Sequence, residues 1–379
     1  MMISYPGLWK LKTKPVVYQH VILASDSGTL EQLKELSSRR KAIEDSINES
    51  SFITEAIARE MSGGLTSRCE QDIQKLESYL PLLENFIHHI NLNAKNRQVM
   101  YWVTEFKMRW SSVLSPSSLF NLQGPKFYQV NDMYFELGMS LFLYGALLRE
   151  RAFQVLSSDL VQSATLFRKA AGVYNYAAQE VLTNLHWTQE RPAEATLSVP
   201  SVMSLICLAD AQAVTARKAR ENGNTGGLLA KLHYGVKDFL VEAINILQDA
   251  TKQCKDTSPR FLDFMSCCKT LHELMGYKYH VEGLKNDGKI GVGIGILRWA
   301  LGNARKSIPK EESWRVVNQQ VIDELSGLLQ KYEHENEFVW HEKIPFDDEL
   351  PLPLPQAARI VSPIPYHPQK WERELMFKL

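Results

Sequence analysis

Apolar and polar positions follow a helical period over most of the chain. From Ser27 the apolar set Leu30, Leu33, Leu36 and Ile43 falls on one helix face. A second helix opens at Ser67, where Glu70 three residues on completes a capping box, and it carries Ile73, Leu76, Leu80, Leu83 and Phe86. Asn131 or Asp132 can cap a third, marked by Phe135, Met139, Phe142, Ala146 and Leu147, and residues 159–182 supply a fourth. Pro200, just after Ser198, opens a helix that is apolar or small nearly all round (Met203, Ile206, Cys207, Ala209, Ala213, Val214). A helix without a polar face is buried on all sides. It stops at Asn222-Gly223, residues 228–247 form the next, and "DGKIGVGIGILRWALGNARK" opens another after a turn. Two stretches read differently. Residues 16–23 (VVYQHVIL) and 98–103 predict strands, and so one small sheet within the first 110 residues.

Proline placement sharpens this picture. Seven of the 16 prolines lie at or after Pro345, and the few before it delimit long helical blocks. The C-terminal stretch "PFDDELPLPLPQAARIVSPIPYHPQKWERELMFKL" is therefore extended, and its large apolar groups predict that it packs along the helices. Small residues (Ala170, Ala171, Gly172; Gly291, Gly293, Gly295) sit where neighbouring helices approach closely, as in tetratricopeptide repeats, although no strict period of about 34 residues can be read. The expectation is mainly α: a curved α-solenoid of TPR-like helix hairpins, with a small N-terminal β-sheet and an extended C-terminal segment. Such stacks present surfaces that bind other proteins.

The chain has 379 residues and 43 Lys+Arg against 43 Asp+Glu, so no global field draws it to nucleic acid or an anionic membrane. Its five cysteines (Cys69, Cys207, Cys254, Cys267, Cys268) are odd in number and irregular in spacing, which argues against a disulfide framework and for a reducing compartment. The N-terminal residues show no apolar signal segment, neither end shows a lipid-attachment motif, and the longest apolar run, 137–148, falls short of the roughly 20 residues that span a bilayer. A cytoplasmic protein that meets membranes only through a partner is expected.

Candidate chemistry is sparse. "GKIGVGIG" (288–295) lacks the preceding strand of a dinucleotide fold, so close helix packing explains it better. Cys254, Cys267, Cys268 and His272 lack the paired spacing of a zinc site, and His334 and His341 among glutamates are equally weak. Phe338-Val339-Trp340 reads as a buried anchor, and His88-His89 diverge on their helix. No catalytic, metal or cofactor-binding residue is assigned, and an enzyme using a cysteine nucleophile is kept as an alternative only because its partners would be distant in sequence.

The stretch 214–240 says more. Arg217, Lys218 and Arg220 end one helix, and Leu228, Leu229 and Leu232 with Lys231 open the next. Leu228 and Leu232, four apart, share a face. Either they are core beneath a solvated lysine face, or they line an apolar groove with cationic rims, suited to an amphipathic helix carrying acidic residues.

Four segments in order resemble the Bro-one domain, the helical domain at the N-terminus of Alix-type endosomal adaptors. They are "YFELGMSLFLYGALLRERA" (134–152), "SATLFRKAAGVYNYAAQEVL" (163–182), "LSVPSVMSLICLADAQAV" (197–214) and "ENEFVWHEKIP" (335–345). The likeness covers essentially the whole chain, as one domain over 1–379: sheet and helices over 1–110, a helical-repeat core over 130–344 and the proline-rich segment over 345–379. With no coiled-coil or further proline-rich domain following, it looks like a stand-alone, plant-like member. The resemblance implies a non-catalytic scaffold whose concave face binds the C-terminal amphipathic helix of an ESCRT-III subunit, recruitment to endosomes and a part in multivesicular body sorting. It places Leu228 and Leu232 at groove positions, Lys218 and Lys231 at charged flanks and Leu329 along the same groove. Thr215 stands where such adaptors carry a large aromatic residue, and "NGNTGG" (222–227) is glycine-rich where they are helical. These departures imply weaker ESCRT-III binding, or a different helix.

Overall fold

A computed structural model describes residues 2–49, 67–115, 125–185, 190–251, 258–305, 309–350, 356–369 and 373–378. Its helices in chain order are α1 (Ser27–Glu49), α2 (Arg68–Leu92), α3 (Arg97–Glu105), α4 (Met133–Val155), α5 (Leu160–Tyr176), α6 (Ser198–Glu221), α7 (Gly226–Thr251), α8 (Pro259–Asn286), α9 (Ile290–Ala304) and α10 (Glu312–Glu335). Side-chain oxygens set several starts by accepting from unpaired N–H groups of the first turn. Ser67 accepts from Glu70 at 3.2 Å, and Asp132, not Asn131, accepts from Tyr134 at 2.8 Å. Asp159 serves both Val161 and Gln162 at 2.9 Å.

Both expected strands fold otherwise. Residues 98–103 lie inside α3, because Asn96 caps the N–H groups of Gln98 and Val99, and Val99 and Trp102, three apart, bury one face. Residues 16–23 hold only a short turn at Tyr18–His20, where Tyr18 is drawn inward to meet the Tyr79 hydroxyl at 2.8 Å. The sheet that does form pairs β1 (Met108–Ser111) antiparallel to β2 (Phe127–Val130), with Met108 opposite Val130. Its second strand therefore lies beyond residue 110.

From α4 to α9 each helix packs on the next, and α10 folds back on α8 and α9. The largely apolar α6 sits inside this stack, with Val202, Met203, Ile206, Cys207, Ala211 and Val214 buried. Buried ion pairs tie neighbours together. Arg149 of α4 donates to Asp210 of α6 at 2.9 Å. Arg40 of α1 meets Glu136 of α4 at 2.6 Å, and Tyr79 and Trp110 also donate to that carboxylate, at 3.1 and 2.7 Å. Breaking such a pair from one side typically costs about 3–5 kcal/mol, because the other charge is left buried.

The extended C-terminal segment runs back along alternate helices of the stack. Near Pro345 it lies against α9, at Ala358 against α7, at Ile364 against α5 and at Arg373 against α2. Each of the three repeat helices it crosses carries a glycine there. A Cβ on Gly172 would stand 1.8 Å from the Ile364 carbonyl oxygen, on Gly235 2.2 Å from that of Ala358, and on Gly291 2.4 Å from that of Lys343. Sequence reasoning assigned Gly172, Gly291 and Gly295 to helix–helix packing. They instead admit backbone of the tail, which closes over Gly295 with Pro345 and Leu350. Gly293 does face a helix, with Val281 of α8 at 3.6 Å.

Candidate functional site

Thr215, Lys218, Leu228, Lys231 and Leu232 lie on two consecutive helices of the stack, α6 and α7, which the tail crosses on its way to α5. The N-terminal half of α5 packs on the C-terminal half of α6, Phe167 against Ala211 and Val214, and a short connection brings the start of α7 beside the end of α6. Val161 of α5 is 65% exposed and Leu228 of α7 is 39% exposed. Thr215 of α6 is half-buried, its hydroxyl donating to the Ala211 carbonyl at 2.9 Å. Lys218 and Lys231 are exposed at the margins, and neither has an acidic partner among the described residues. Arg217 does: it pairs with Glu221 at 3.0 Å.

The tail forms the remaining wall, and Gln212 locks it in place. Its amide donates to both the Leu232 and the Ala358 carbonyl at 2.8 Å and accepts from the Ile360 N–H at 3.0 Å, while the Ala358 N–H reaches the Lys231 carbonyl at 3.0 Å. Arg359 pairs with Glu242 at 2.6 Å and lies over the Phe239 ring. Val361 turns in to pack with Phe167, Ala211 and Val214, which leaves Ile360 pointing out, 59% exposed. An extended chain alternates its side chains in this way.

This arrangement corrects the sequence-based grouping. Leu232 is 1% exposed and lies on the stretch of α7 that the tail crosses, so it belongs to the core and offers no open contact. Leu229 is buried with it. Leu329 is carried by α10, which packs on α8 and α9 and not beside this strip. Leu228, Lys218 and Lys231 are exposed, and Thr215 is half-buried. Val161, Ile360 and Gln212 were missed. A glutamine set in the apolar run "CLADAQAV" was the available signal, since a buried amide needs partners.

The "NGNTGG" connection is a closed turn. Gly223 takes φ +73°, and the N–H groups of Gly223 and Asn224 return to the carbonyls of Arg220 and Ala219.

The remaining motifs resolve as follows. The N-terminus of α9, in the glycine-rich stretch, donates its Gly291 N–H to the chain's own Glu342 carboxylate at 2.9 Å. Phe338, Val339 and Trp340, expected to be a buried anchor, are exposed at the end of α10, where the chain widens into a π-type turn and His341 adopts a left-handed φ of 54°. Cys254 lies outside the described residues. Among the described residues no three His, Cys, Asp or Glu side chains gather as a metal cluster. The described cysteines are buried. Burial pushes the Cys207 and Cys268 thiols far up and that of Cys267 up to about 12, the opposite of an activated nucleophile.

Taken together, the stacked helix hairpins, the glycines admitting an extended tail and the exposed positions along successive hairpin helices define a helical-repeat scaffold. The BRO1-like domain family model matches residues 34–379, and the chain belongs to that family. It is similar to the human BRO1 domain-containing protein BROX, 23% identical over 315 residues, covering 79% of this chain and 74% of BROX. It is also similar to the rat programmed cell death 6-interacting protein, 26% identical over 267 residues, covering 68% of this chain and 29% of that longer protein. Among solved structures, the ALIX BRO1 domain in complex with CHMP4C shares the fold at a TM-score of 0.67 and 19% identity, covering 94% of both chains. ALIX in complex with a viral late-domain peptide gives 0.71 at 20% identity, covering 94% of this chain and 48% of ALIX.

Proposed function

We propose that this BRO1 domain is a non-catalytic endosomal adaptor that captures the C-terminal amphipathic helix of an ESCRT-III subunit along the α5–α7 strip. It would reside in the cytoplasm, be recruited to endosomes and serve protein sorting into multivesicular bodies. The observation that carries this reading is the exposure of Leu228, Val161 and Ile360, with Lys218 and Lys231 exposed and without acidic partners among the described residues. An amphipathic helix lays apolar residues spaced three and four apart onto such a strip, and its acidic residues meet Lys218 and Lys231. The relationship to a domain solved with CHMP4C, an ESCRT-III subunit, supports the class of partner. Burying what remains open of Leu228 contributes on the order of 1 kcal/mol, and each rim lysine less. Val161 and Ile360 are therefore needed to make capture measurable.

A second reading, a scaffold for a different protein partner, is favoured by one observation: Phe338, Val339, Trp340 and Phe346 stand exposed at the far end of the stack. Titration of fluorescent C-terminal helices from each ESCRT-III subunit into the full chain separates the two. The first reading expects saturable binding of at least one helix, weakened by added salt. It fails if none binds, or if binding survives removal of every acidic residue from the helix.

A further inference from the structure

A cavity of about 560 Å³ lies between α2, α4, the turn after α5 and the tail. Its wall includes Glu84, Asn91, Tyr134, Tyr176, Glu180 and the tail's Gln369. One oxygen of Glu84 accepts from the Tyr366 hydroxyl of the tail at 2.9 Å. The other is closed to solvent and accepts no hydrogen bond from described residues. Burial pushes the Glu84 carboxyl up to about 7, and the Tyr366 hydroxyl and the nearby backbone of Gln369 pull it back only in part. Among the described residues no Lys or Arg contributes. The phenol of Tyr176 is raised by burial and then by Glu84 and Glu180, so both carboxylates act on the same space. The other titratable groups on the wall are His88 and Tyr134.

A buried carboxylate normally has a cation beside it, because an unpaired charge in a poorly hydrated site is costly. Here the charge comes with aromatic rings. The Tyr176 and Tyr366 rings lie tilted against each other with centroids 5.0 Å apart, and Tyr134 accepts from the Asn91 amide at 2.8 Å. Carboxylate, aromatic faces and amide oxygens together suit a delocalised alkyl cation, which pairs with the carboxylate and lies on the rings.

We infer that this cavity is a binding site for an alkyl guanidinium or ammonium group, held by Glu84 with Glu180 and the tyrosines around it. Because the tail supplies Tyr366 and Gln369, occupancy fastens the tail at this end of the stack.

The test titrates n-butylguanidinium, its neutral isostere n-butylurea and the peptide acetyl-Gly-Arg-Gly-amide into the full chain at pH 8, where Glu84 is ionised. Saturable binding of the cation at least tenfold tighter than the urea is expected, and it should be lost in Glu84→Gln. That variant should melt no lower than wild type, since it removes a desolvated charge. A peptide that binds more tightly than n-butylguanidinium makes the source an arginine side chain. Equal binding makes it a free cation, and both support the site. Failure of both cations, equal binding by Glu84→Gln, or binding that appears only in Lys370→Met, which removes the next cation along the chain, overturns it.

Discussion

Leu228 and Leu232 are one helical turn apart on α7 and have opposite environments. At Leu232 the tail crosses: Gly235 lacks a side chain to admit the Ala358 carbonyl, and Gln212 joins helix to tail. At Leu228 no such crossing occurs among the described residues, and the side chain faces solvent. Periodicity places both residues on one face, and that is correct. What the face meets is decided by a segment more than a hundred residues later in sequence. One half of the stripe is thus structural and the other half available.

This contrast can be broken at several points. The largest effect is expected at Leu232. Leu232→Ala should destabilise the fold by about 2–5 kcal/mol in denaturant titration, whereas Leu228→Ala should cost well under 1 kcal/mol. Comparable losses at both positions would show that the tail does not distinguish them.

Acid should attack the crossed stretch next. His233, adjacent to Leu232, and His272 stand with their Nδ1 atoms 3.0 Å apart, and burial holds His233 down to about 3 and His272 well below its ordinary value. Such histidines add no penalty while neutral in both states. As pH falls below about 6.5 the unfolded chain takes up protons that the folded one refuses, at about 1.4 kcal/mol per pH unit and group. Asp210, raised to about 6 by burial, and Glu84, raised to about 7, work in the other direction over the same range. The isolating measurement is therefore relative. His233→Gln should gain on wild type by about 2–3 kcal/mol between pH 6.5 and 4.5. A constant difference across that range would refute the buried-pair account.

Gln212→Ala should cost about 2 kcal/mol by leaving the Leu232 and Ala358 carbonyls and the Ile360 N–H without their partner, and should raise proteolysis of the tail. Unchanged proteolysis would mean that the tail is held elsewhere. The smallest effect belongs to the rim. Lys218→Glu with Lys231→Glu should leave melting unchanged and weaken helix capture by about 1–2 kcal/mol, more at low salt than at high. A salt-independent loss would argue against a charge role.

The helix positions, most of the caps and the extended tail were legible because they depend on local spacing. Asp132, Asp159 and Ser67 act within three residues of themselves. The two strands were misplaced because β-rich composition is a weak prior: Asn96 captured one stretch for a helix, and the Tyr18–Tyr79 contact bent the other. The strip was half legible. Leu228, Lys218 and Lys231 lie close in sequence, whereas Ile360 and Val161 reach them only through tail docking and helix stacking, which no local spacing encodes. The exposure of Phe338-Val339-Trp340 was misread for a similar reason. An aromatic cluster marks packing or recognition equally well until the neighbouring elements are placed.

The most direct test is a single substitution, Leu228→Asp, in the full chain, followed in parallel by thermal melting and by titration of the ESCRT-III helix that wild type binds best. The account predicts an unchanged melting temperature and at least a tenfold loss of affinity. Undiminished binding at an unchanged melting temperature would contradict it.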